Sequence, residues 1–137
     1  MTDMEQKDTK TVLLIDDDQF LLDMYAHKFE AQGFAVVKAN SADEALERLR
    51  AGLVPAAVVF DIVMPHTDGY AFLEIMSREH LAAGAAKIAL SNQTDGDEMK
   101  RLTELGADGH ITKASEIPSE AVAEVLRIIA AKTEPKV

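Results

Sequence analysis

The stretch Ala56–Tyr70, AAVVFDIVMPHTDGY, decides the fold. An unbroken apolar run from Ala56 to Phe60 ends on one carboxylate, Asp61. The chain then passes Met64-Pro65 and turns at Asp68-Gly69. A short apolar run bounded by turn signals reads as a buried strand. Asp61 therefore stands where a buried sheet gives way to a loop, and the reason for a carboxylate there has to be found in the rest of the chain.

Outward from this stretch, strand-like and helix-like segments alternate. Strands are expected at Val12–Ile15, Phe34–Val37, Ala56–Phe60, Lys87–Leu90 and Gly109–Thr112. Helices are expected over about 19–32, 41–50, 68–80, 95–105 and 118–131, with Gly33, Gly52 and Gly106 as stops. Ser41 and Glu44 have the spacing of a capping box. Val122, Val125, Leu126 and Ile129 have the spacing of a buried helical stripe, and Pro118 suits a first turn. Five βα units with short connections predict an α/β fold: a doubly wound, five-stranded parallel sheet, order 2-1-3-4-5, with helices on both faces. Residues 1–10 are expected to be a loose N-terminal extension, 11–132 the folded domain and 133–137 a loose tail.

Composition narrows the function. The chain has 137 residues, enough for one domain. It is 47% apolar but only 5% aromatic, so the core should be aliphatic. With no cysteine there can be no disulfide, thiolate metal site or Cys nucleophile. No apolar stretch reaches the roughly 18 residues of a membrane span, and MTDMEQKDTK lacks the apolar centre of a secretory signal. A net charge of −10 repels nucleic-acid phosphate and anionic lipid, so neither direct nucleic-acid binding nor membrane binding is expected.

In open α/β sheets, sites form beyond the carboxyl ends of the strands. Polar residues cluster at those ends: Asp16-Asp17-Asp18 after strand one, Asp61 after strand three, Ser91-Asn92 after strand four, and Thr112-Lys113 after strand five. Each has a plain structural use, as a cap, a loop hydroxyl or a solvated lysine. The strand order makes all four ends neighbours, which those uses do not require. Carboxylates held together repel one another, and a divalent cation relieves that repulsion. Hard oxygen ligands suit Mg²⁺ or Mn²⁺. Ser91 and Lys113 would complete a cradle for a phosphoryl group, with a carboxylate as its acceptor.

VLLIDDDQ, VVFDIVMPHTDGY, IALSN and GADGHITKA together resemble the receiver domain of bacterial two-component response regulators, in the single-domain form of the chemotaxis regulators. The intervals Asp17–Asp61, Asp61–Ser91 and Ser91–Lys113 are 44, 30 and 22 residues, which fits that family's layout. The resemblance covers about Thr11 to Ala131. It implies that Asp61 is the phosphoacceptor. Asp17 and Asp61 would bind Mg²⁺ directly, Asp16 through a water, and Val63 through its backbone carbonyl. Ser91 would hydrogen-bond the phosphoryl group and Lys113 would pair with it. Val63 and Gln93 would line the path of the water that hydrolyses it.

The sequence departs from the family at two positions. His110 stands where a Tyr or Phe usually acts as a rotating switch with the Ser/Thr. Ala114 follows the lysine where a proline, often after a cis bond, is usual; a non-proline cis bond costs about 3–4 kcal/mol. The implied function is a stand-alone cytoplasmic regulator, not an enzyme beyond its own phosphoryl transfer and slow self-dephosphorylation. Its expected partners are a sensor histidine kinase and either a downstream protein or a histidine phosphotransfer protein. It would be a monomer or a weak, phosphorylation-dependent dimer. A close alternative is a phosphorelay shuttle. A Mg²⁺ phosphohydrolase working through an aspartyl-phosphate is remote, since no cap-sized insertion is present. A scaffold that ignores phosphorylation would have no need of the full residue set.

Overall fold

In a computed structural model, which describes residues 10–91, 96–112 and 118–133, the apolar runs form five strands. These are β1 (Thr11–Ile15), β2 (Ala35–Ala39), β3 (Ala57–Asp61), β4 (Ala86–Ser91) and β5 (Gly109–Thr112). Between and after them run α1 (Gln19–Ala31), α2 (Ala42–Arg50), α3 (Gly69–Glu79), α4 (Gly96–Glu104) and α5 (Pro118–Thr133). All pairings are parallel and the order is β2-β1-β3-β4-β5, as the alternation predicts.

Successive side chains on a strand point to opposite faces, and here both faces are buried. Leu13 and Ile15 of β1, with Val58 and Phe60 of β3, pack under α2 and α3. Val12 and Leu14, with Ala57 and Val59, pack under α1 and α5. The core is aliphatic except for a few rings, among them Phe60 and Phe72, which meet edge-on at 5.5 Å. Ser41 accepts from the Glu44 N–H, and the Glu44 carboxylate reaches back to the Asn40 N–H, one residue before the expected partner.

The second strand begins later than the sequence predicts, at Ala35 and not at Phe34. Phe34 is used by the helix before it. Its N–H bonds to the Phe29 carbonyl while Gly33 N–H bonds to that of Glu30, and its ring meets Phe29 at 5.7 Å. This is a Schellman closure with its apolar contact, and Gly33 supplies the required left-handed turn at φ +94°. At the end of α3 the same closure is made without glycine: His80 takes φ +58°, and Leu81 N–H reaches the Met76 carbonyl.

Candidate functional site

The register of β1 against β3 builds the site. Ile15 lies opposite Phe60, so one step further Asp16 faces Asp61 across the pair. Neighbouring strands are about 4.8 Å apart. Carboxylate oxygens of Asp16, Asp17 and Asp61 all lie within 4.8 Å of one another. Asp16 is 2% exposed and Asp61 7%, whereas Asp17 is open to solvent. The cluster thus has two buried acids and one that faces outward. Asp18 is not part of it: its carboxylate caps α1 by accepting from the Phe20 and Leu21 N–H groups at 3.0 and 3.2 Å. One Asp16 oxygen accepts from the Asp18 N–H at 2.9 Å, which fixes that side chain against the turn.

Ser91 ends β4, is 5% exposed and is the residue after Leu90, the register partner of Asp61. It pairs in turn with Thr112 of β5. The strand ends therefore bring Asp16, Asp17, Asp61 and Ser91 to one edge of the sheet, as expected from their places in sequence. Lys113, Gln93 and the Lys113-Ala114 peptide lie outside the described residues. His110 is half-buried on β5, with its Nε2 3.4 Å from the Thr112 hydroxyl, the outer limit of a hydrogen bond. The Val63 side chain is 78% exposed beside the cluster, so it presents methyl groups to solvent and does not pack on the loop.

The loop after Asp61 is held by several contacts. Ile62 and Met64 are buried in the core under α2 and α3. Asp68 caps α3 through the Ala71 N–H at 2.9 Å. Gly69 N–H bonds to the Ile62 carbonyl at 2.8 Å. A Cβ at Gly69 would come within 2.8 Å of Ile62 Cα and 2.9 Å of the Asp61 carbonyl oxygen. Asp68-Gly69 is thus a cap followed by a close approach of helix to strand end. The sequence marks the pair as a turn and does not show how tight the contact is. Nor did it single out Thr67, whose hydroxyl donates to Asp43 at 3.0 Å and ties the loop to α2. No spacing rule marks such a bond.

The site's chemistry is that of hard oxygens. Three carboxylates converging from two strands fit Mg²⁺ or Mn²⁺, which prefer oxygen ligands and keep some waters. Among the described residues this is the one group of three or more acids or histidines close enough to hold a metal. None of the described helices is long and apolar enough to cross a membrane.

Comparison with known proteins places this geometry. The response regulator receiver domain family matches residues 12–125, and the chain belongs to that family. It is therefore a phosphoacceptor signalling domain of the two-component type. It is 34% identical to the chemotaxis protein CheY of Halobacterium salinarum, over 85% of this chain and 97% of that protein. It is 26% identical to the phosphate regulon transcriptional regulatory protein PhoB of Klebsiella pneumoniae, over 88% of this chain, and spans 52% of that relative's length. The fold matches the receiver domain of Francisella response regulator 1452 with a TM-score of 0.80 at 25% identity, covering 91% of this chain and all of that one.

Proposed function

We propose that this chain is a switch that takes a phosphoryl group on Asp61 from a phosphohistidine of a sensor kinase and signals by binding another protein. One observation carries the reading: Asp61 is a nearly buried carboxylate at the end of the central strand, with those of Asp16 and Asp17 within 4.8 Å. In the transfer an Asp61 oxygen attacks phosphorus. The O–P bond forms as the donor P–N bond breaks, and the electron pair leaves on the imidazole nitrogen. The rigid strand end supplies the alignment this displacement needs. Asp16, Asp17, Asp61 and the Val63 carbonyl would hold Mg²⁺, which when bound neutralises charge on the phosphoryl oxygens. Ser91 donates its hydroxyl to the arriving group, and Lys113 pairs with another oxygen. His110 follows Ser91 inward as the switch side chain. Its ring proton signals should shift when a beryllofluoride mimic is added, and matching spectra would remove it from the switch.

The test is labelling by acetyl phosphate. Wild-type protein should acquire one acid-labile phosphate in a Mg²⁺-dependent reaction. Asp17→Asn should raise the Mg²⁺ needed for half-maximal labelling about 10-fold or more, because it removes a carboxylate from the cluster. An Asp17→Asn titration that overlays the wild type would remove the metal assignment.

The lifetime of the phosphate follows from Val63. Hydrolysis needs a water held in line with phosphorus. Val63 offers it no hydrogen bond, which leaves Gln93, a side chain with three rotatable bonds. Intrinsic dephosphorylation should be slow. Val63→Asn should speed it by about 10-fold, or about 1.4 kcal/mol of barrier. Decay of labelled protein in Mg²⁺ without a partner checks this; loss within seconds in the wild type would contradict it.

A further inference from the structure

We infer that a cleft at the opposite pole of the sheet binds a small amphipathic carboxylate, an aliphatic acid of about six carbons. The cleft has a volume of about 220 Å³ and lies between the end of α3, the start of β4 and the end of α4. Its apolar walls are Leu73, Met76, Leu81 and Leu105. Its polar lining includes Lys87 and His80. Lys87 and Ser91 are four residues apart on β4, about 13 Å along the strand. The cleft is thus separate from the acidic cluster.

Charge complementarity decides the occupant. The Lys87 ammonium donates to the Ala82 carbonyl at 2.8 Å, and among the described residues no carboxylate lies within ion-pair distance of it. Asp108, the acid whose charge acts on it, is also engaged elsewhere: it holds Lys132 at 3.1 and 3.2 Å and accepts from the Lys87 backbone N–H at 2.9 Å. Burial, and then the neighbouring Lys132, push the ammonium below the usual lysine range, with Asp108 opposing. A half-buried cation whose one hydrogen bond goes to a carbonyl gains from an anion placed against it. On a chain of net charge −10, a cationic cleft runs against the general field. His80 on its lining and Ala82, two residues further along the chain, take left-handed backbone at φ +58° and +52°. The cleft, about 220 Å³, has room for a six-carbon acid.

The experiment is an NMR titration of the ¹⁵N-labelled full chain with hexanoate, beside hexan-1-ol and hexylammonium at matched concentration. Hexanoate should shift the Leu81, Lys87 and Gly106 amides and saturate with a Kd of about 1 mM, as weak, small ligands do. The alcohol and the ammonium should not saturate. Lys87→Met should weaken hexanoate binding about 10-fold. Lys87 also braces the α3–β4 turn, so a second variant leaves it intact: Ser77→Leu, on the exposed lining of the cleft, should block binding by filling it. Equal binding of the alcohol, saturable binding of the ammonium, no saturation by hexanoate at about 50 mM, or undiminished affinity in Ser77→Leu would each overturn the assignment.

Discussion

Asp61→Asn should take up no phosphate at all from acetyl phosphate or from a kinase. The amide keeps the shape of the carboxylate and loses its nucleophilic charge. Asp16 cannot stand in at full rate, since it is itself buried and bonded to the Asp18 N–H. The same substitution should stabilise the Mg²⁺-free fold. Three carboxylates within 4.8 Å repel one another, and at an effective dielectric of about 20 a charge pair at that distance is worth about 3 kcal/mol. Solvent around Asp17 screens part of this, so a net gain of about 1 kcal/mol is expected. The stabilisation conferred by Mg²⁺ should shrink correspondingly, because it scales with affinity for the folded state. Thermal melts with EDTA and with Mg²⁺, run beside the labelling assay, read both effects. Residual labelling at the wild-type rate would move the acceptor to another residue.

Gly69→Ala should cost the fold about 3 kcal/mol, although it adds a single methyl. The new Cβ would meet Ile62 Cα at 2.8 Å, the Asp61 carbonyl oxygen at 2.9 Å and Phe60 Cδ2 at 3.2 Å. The first two are backbone atoms and cannot swing aside as a side chain would. Phe60 is fully buried and locked against Phe72. Overpacking of this kind typically costs about 1–3 kcal/mol, and contact with backbone puts it at the upper end. For a domain of this size the melting temperature should fall by about 10 °C. Because α3 must withdraw from the strand end, the Asp61 carbonyl shifts too, and Mg²⁺-dependent labelling should weaken with stability. Gly84→Ala is the control, since nothing lies within 4 Å of a Cβ there and its backbone is not left-handed. A Gly69→Ala melt equal to that control would disprove the steric account.

Much of this was legible in the sequence. The five apolar runs, the glycine stops at Gly33, Gly52 and Gly106, and the acids at strand ends sufficed to order the sheet and bring Asp16, Asp17, Asp61 and Ser91 to one edge. That worked because a parallel sheet buried on both faces writes itself as continuous apolar runs, and because a parallel register carries chain position directly into space. What stayed hidden depended on contacts between segments. Phe34 looks like a strand residue, yet its N–H and ring are committed to α1. The sequence ends this helix near His80 but gives no sign that His80 closes α3 in a left-handed conformation. The closeness of Gly69 to the Asp61 carbonyl, and the exposure of Val63, depend on how helix and loop settle on the strand end.

The parallel pairing of β1 with β3 also sets when the site can exist. Asp16 and Asp61 are 45 residues apart in the chain and adjacent only once that pair has closed. On a ribosome adding about 5–20 residues per second, Asp61 follows Asp16 by about 2–9 s. Through that interval the nascent chain carries the acidic pair without the proposed acceptor. Even after Asp61 emerges, Ser91 is still 30 residues behind it. If Asp61 is the acceptor and Ser91 its partner, as proposed, an unfinished chain cannot be switched on, and no separate inhibitor is needed to keep a half-made regulator silent.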